Sequence, residues 1–211
     1  MNYINLHKLI EKKEVIEFLK MIVQGIPAIY SGSYYQALRN CNSEEEAFDL
    51  FPHIRRTNMD NHLMEVADHC GYSSEVCENI IGNSHHREVK IDSMKITANA
   101  VQSPQEIVRR AKFRETLAQT NQLLLFPGLD DRQRGDFLYA MILHGPDYDD
   151  KSRVAFIQLV FPSPDCSKYL LNINLSAHCD IQLYAPGVSE EIFEDIAIPK
   201  LREDIREKKK G

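Results

Sequence analysis

The ten residues NSHHREVKID, positions 83 to 92, contain two histidines, an arginine, a glutamate, a lysine and an aspartate. Side chains of these types can hold a metal ion, move a proton or neutralise a phosphate, and spacing decides among those chemistries. In Glu88-Val89-Lys90 a carboxylate and an ammonium stand two apart, on one face of a strand, where the first expectation is a solvated polar surface. A metal-dependent nuclease uses that spacing to set a divalent ion beside a lysine that stabilises developing charge. Such a centre needs a further acid from a neighbouring element. The residues before position 83 offer no strand that would end in one, and Asp60 and Asp68 fall on an expected helix. His144, which closes a long apolar run, is the third residue of this enzymatic reading. The GPDYDD that follows it has the composition of a turn rather than of a calcium loop. The adjacent His85 and His86 point to opposite faces of a strand and cannot easily share an ion, so no metal ligand is assigned and no cofactor is indicated.

A second constellation lies in EIVRRAKFRETLAQ, residues 106 to 119. Advanced at about 100 degrees per residue, Ile107, Val108, Ala111 and Ala118 share one arc, and Phe113 and Leu117 share another. Arg110 and Arg114 sit between the two arcs, where simple patterning would place leucine or alanine. A guanidinium does not lose its proton in a protein, so one taken from water must meet carboxylates, carbonyls or a bound anion. The pair therefore predicts an internal ion pair, stems that snorkel to the edge, a phosphate or nucleic-acid backbone that suits the planar fork, or the acidic surface of a partner.

Charge is distributed to suit a local site of that kind. Residues 1 to 80 carry seven basic against twelve acidic side chains, residues 81 to 135 nine against six, and residues 136 to 211 nine against thirteen. A modestly basic middle between acidic ends argues against a DNA-coating protein. The acidic side chains among Ser43 to Cys70 argue equally against reading Arg55, Arg56, Asn58, Asn61 and His62 as part of a helix-turn-helix. The five cysteines, Cys41, Cys70, Cys77, Cys166 and Cys179, form no C-x-x-C, so neither a disulfide framework nor a zinc ribbon is expected. Six Lys or Glu before Phe18 interrupt any apolar leader, and no stretch reaches membrane-spanning length. A cytoplasmic protein with no membrane partner is the expectation. No G-x-S-x-G, Walker loop or G-x-G-x-x-G is present.

The elements that must position these residues follow from periodicity. Helical spacing from Leu9 to Val23, with stops at Gly25 and Pro27, predicts a first helix. Ser43 with Glu46 forms a capping box for a short helix ending at Phe51-Pro52, and Thr57 with Asp60 suggests another start running to Cys70-Gly71. The first 80 residues thus read as a helical subdomain, residues 81 to 211 as an α+β domain, or the two as one continuous domain. Beyond Gly82 the period becomes two: Val89 and Ile91, then Met94, Ile96 and Ala98, flank a turn at Asp92-Ser93. Ser103-Pro104-Gln105-Glu106 predicts a helix start, with the helix reaching about Gln119. The runs 137 to 144, 153 to 161 and 168 to 175 predict three further strands, the first of them central. Past a loop at PGLDDRQRGD and those strands, residues 189 to 198 and a charged helix beginning at Pro199 complete the chain. The sum is an α+β protein with a largely antiparallel sheet of about five strands and flanking helices. Its expected role is a binding or regulatory protein that engages a phosphate-bearing ligand or nucleic acid through Arg110 and Arg114. The alternatives are a metal-dependent nuclease or hydrolase using Glu88, Lys90 and His144, and a module for a protein partner in which the arginines are structural.

Overall fold

The computed structural model describes residues 8–78, 85–121 and 137–181. The expected loop centred on residues 127 to 136 and the elements expected beyond residue 181 lie outside the described residues. Two long antiparallel helices come first, α1 (Lys13–Asn40) and α2 (Glu44–His69). After them come β1 (Ser73–Glu78), β2 (His85–Ile91), β3 (Met94–Ala100), a short α3 (Lys112–Ala118), β4 (Leu138–Pro146), β5 (Val154–Pro162), β6 (Tyr169–Asn174) and a single turn, α4 (Leu175–His178). The six strands form one sheet in sequential order, antiparallel throughout except for the parallel pair β3–β4.

Both long helices run through the residues expected to stop them. In α1, Gly25 has no side chain because His62 of α2 occupies the space: a Cβ there would lie 2.3 Å from the imidazole Cε1. The His62 Nε2 bonds Ile22 O at 3.2 Å, so close helix approach, rather than chain termination, accounts for this glycine. Pro27 and Pro52 likewise sit inside α1 and α2, tolerated because the apolar faces of both helices are packed. One continuous α2 also removes the turn that a helix-turn-helix would need. The ends of α2 match their sequence signals: Glu46 N donates to Ser43 Oγ at 3.2 Å, Asn42 N donates to Glu46 Oε2 at 3.0 Å, and Gly71 closes the C-terminus with φ 74°.

The β2–β3 turn falls at Asp92-Ser93 with the expected register, Ile91 opposite Met94, Lys90 opposite Lys95 and Val89 opposite Ile96. Asp92 adopts φ 52° and its carboxylate pairs with Lys12. One face of the sheet, through Val89, Ile91, Met94, Ile96, Ile142, Ile157 and Leu159, packs on α1 and α2 in a single core. The other face, through Tyr139, Met141, Leu143 and Val160, is covered by the β3–β4 connection with Val108, Leu117 and Ala118.

Two further expectations fail, and both failures bear on the site. Residues 73 to 78, expected within a mostly helical segment, instead form the edge strand β1, paired with β2 along its whole length. The helix expected from Ser103 begins only at Lys112. Before it, Glu106 closes a local turn by accepting from Gln102 N at 2.6 Å, and β6 captures the next backbone groups. Val108 N donates to the Tyr169 hydroxyl at 3.0 Å, and that hydroxyl donates to Glu106 O at 2.9 Å. These tertiary bonds engage the backbone of residues 106 and 108, and residues 106 to 111 are not helical, where a helix would have consumed the same groups.

Candidate functional site

Strand β2 divides the opening constellation by its pleat. His85 and Arg87 point toward the helices, while His86, Glu88 and Lys90 point to the other side. Each face builds a polar site with different neighbours.

On the helical side His85 and Arg87 meet one polar stripe of α2, residues His53, Arg56, Thr57, Asp60 and Asn61, around an open cleft of about 320 Å³. The α2 residues recur at intervals of three and four, so one helical face supplies them all. Arg56 Nη2 donates to His85 O at 2.5 Å, fastening α2 to the start of β2. Among the described residues neither Arg56 nor Arg87 has a carboxylate within ion-pair distance. Asp60 is the only acid in the lining. Burial raises its carboxyl above the usual range, against the pull of Arg56, Arg87 and His86. The lining therefore holds two permanent cations and two imidazoles around one partly desolvated acid, and a second carboxylate, that of Glu78, lies 3.2 Å from His85 Nε2 outside the lining.

On the other side Glu88 is 7% exposed and anchors a chain of polar contacts. Its Oε1 lies 2.9 Å from His86 Nε2 and its Oε2 accepts from Lys95 Nζ at 2.8 Å. Those two bonds, His86 first and then Lys95, hold the carboxyl down to about 2. The His86 ring stacks on Phe113 with centroids 3.8 Å apart. Cys77, the cross-strand partner of His86, completes the group, its thiol pushed up by burial and by Glu88. Farther along, Asn99 donates to Thr97 Oγ1 at 3.0 Å, and Thr97 bonds the buried Tyr139 hydroxyl at 2.8 Å.

The expected residues disperse among these places. Arg110 lies outside α3 and ion-pairs with Glu115 at 2.7 Å in solvent. Arg114 turns under the connection: its Nε and Nη2 donate to Asn99 Oδ1 at 3.0 and 2.5 Å, and its Nη1 donates to Arg109 O at 2.8 Å. Carbonyl oxygens thus supply the partners that a guanidinium leaving water requires, and the two arginines do not converge. Burial, and to a smaller degree the like charge of Arg56, disfavours the charged form of Arg114. Lys90 shares a face with Glu88 but is exposed, and the ammonium on Glu88 is that of Lys95. His144 is on the opposite, helical face, buried and hydrogen-bonded through Nδ1 to the Tyr30 hydroxyl at 2.7 Å. Glu88, Lys90 and His144 are consequently not one cluster.

Sequence reading passes over three contributors. Arg87 stands on the apolar face of β2, beyond the last apolar pair Val89 and Ile96, where the face opens into the cleft. Cys77 becomes relevant only once β1 exists, and no alternation in Glu75-Val76-Cys77 announces that strand. Arg55, only 5% exposed, is the most deeply buried cation in this region, over the rings of Tyr30 and Phe51 at 4.9 Å each, with no hydrogen-bond partner for its Nε. No helix among the described residues is long and apolar enough to cross a membrane. No protein family, curated protein or solved structure matches this chain.

Proposed function

We propose that this protein binds a small phosphate-bearing ligand in the cleft between α2 and β2, with Arg56 and Arg87 as the anion-holding pair. The observation that carries the reading is the concave lining, in which two guanidiniums and two imidazoles face a single acid whose charge burial disfavours. Guanidinium forks suit the oxygens of a phosphate, and Thr57 and Asn61 add neutral hydrogen-bonding groups to the same wall. About 320 Å³ matches the lower end of small-molecule sites, enough for a phosphate with an attached sugar or base and too little to wrap a duplex. Arg114 is not part of that lining.

The test is thermal stabilisation by inorganic phosphate, mononucleotides and short oligonucleotides, in wild type and in Arg56→Ala and Arg87→Ala. Wild type gains stability with at least one phosphate-bearing ligand. Each variant loses most of the gain, by tenfold or more in affinity, while Arg110→Ala keeps it. A gain retained in both cleft variants, or no gain in wild type with any of the three, overturns the assignment. A response to oligonucleotides alone, with a steep salt dependence, would move it to a nucleic-acid backbone.

A further inference from the structure

The register of β1 on β2 makes Cys77 the partner of His86 and Glu75 the partner of Glu88. Residues two apart on a strand share a face, so E-x-C on one strand and H-x-E on the next form a two-by-two block of ligand-type side chains. The block lies on the face of β2 away from the phosphate cleft and shares no side chain with it. Within it, ligand atoms of Cys77, His86 and Glu88 all lie within 4.8 Å of one another. We propose that Cys77, His86 and Glu88 form a three-ligand site for a zinc-class divalent ion, with its fourth position toward the exposed Glu75 at the edge of the sheet.

The donor set selects the ion. Thiolate, imidazole and carboxylate together suit zinc and its neighbours in the first transition series, whereas magnesium and calcium call for oxygen alone. Bond lengths of roughly 2.0 to 2.3 Å in a tetrahedron put ligand atoms roughly 3.3 to 3.8 Å apart. The present spread therefore closes with side-chain rotation of about 1 Å and leaves the strand backbones in place. Groups outside the triad already orient it: Lys95 holds Glu88 Oε2 at 2.8 Å, so the ion takes Oε1 by displacing its 2.9 Å contact with His86 Nε2, and Phe113 stacks on the imidazole. The Glu88 carboxylate accepts from His86 Nε2, so without an ion the ring carries its proton there, and His86 Nδ1 is buried with no hydrogen-bond partner. When Nε2 takes the ion, its proton is replaced by one on Nδ1, and the Cys77 thiol releases its proton to solvent.

Cobalt titration of the full chain reads the site directly, because a thiolate ligand gives a charge-transfer band in the near ultraviolet that oxygen and nitrogen ligands do not. Wild type develops that band to one equivalent and loses it on addition of zinc. Cys77→Ser abolishes it, and Glu88→Gln, which keeps the shape and the Lys95 contact, weakens cobalt binding at least tenfold. Cys41→Ser leaves the band unchanged, and far-ultraviolet circular dichroism confirms that each variant is folded. Absence of the band in wild type, or its persistence in Cys77→Ser, overturns the proposal.

Discussion

At His144 burial decides chemistry. Full enclosure, reinforced by the nearby charge of Arg55, lowers its pKa from 6.5 to about 3, so the ring stays neutral against Tyr30. The unfolded chain binds a proton near pH 6.5 that the folded chain refuses, and stability must therefore fall as pH drops from 6.5 toward 3. The slope contributed is up to ~1.4 kcal/mol per pH unit. Glu88 acts over a lower window: its carboxyl is held down to about 2, so its contribution is present above 4.5 and is lost only as pH falls toward 2. Denaturant titrations between pH 6.5 and 4.5 should thus show a slope in wild type that flattens in His144→Gln, which keeps a hydrogen-bonding group for Tyr30. Equal slopes would mean that this histidine is not the buried neutral base described.

At the scale of elements, the two helices and the hairpin illustrate when local signals hold. Ser43 with Glu46, Gly71 and the Asp92-Ser93 turn are legible because each is satisfied within a few residues. Gly25 reads as a stop only because its cause, His62, is on another helix, and the start expected at Ser103 is overridden by Tyr169, on a distant strand. Gly25→Ala tests the first of these. Alanine favours a free helix by about 1 kcal/mol, yet here its methyl would meet the imidazole and displace the bond to Ile22 O. Overpacking of this kind costs ~1–3 kcal/mol, so the net expectation is destabilisation, read as a lower urea midpoint with an unchanged m-value. A raised midpoint would show that the two helices are free to move apart.

For the whole molecule, the question is whether the helices and the sheet are separable. A single apolar cluster runs from Phe18, Ile22 and Leu63 on the helices through Ile96, Ile142 and Leu159 on the strands, all fully buried. Neither layer can leave without exposing the other. Thermal or urea unfolding should accordingly be one transition, with the helical signal at far-ultraviolet wavelengths and the tyrosine signal in the near ultraviolet changing together. Two separated transitions would assign residues 13 to 69 to a unit of their own. The net charge of −6 is also a whole-chain property, and it conceals the local pair of guanidiniums in the cleft lining.

By itself the sequence determined the α+β class, the hairpin and its register, the three later strands and the rule that a guanidinium leaving water must find oxygen. All of these depend on periodicity, capping or solvation, which act over short stretches of chain. Only the tertiary structure decided which residues meet. It paired Glu88 with Lys95 instead of Lys90, set His144 behind the sheet, gave Arg114 its carbonyl partners, and put Arg56 and Arg87 across a shared cleft. Such meetings depend on strand order, on the burial of one face against another and on bonds between residues up to 114 positions apart, which no local pattern encodes.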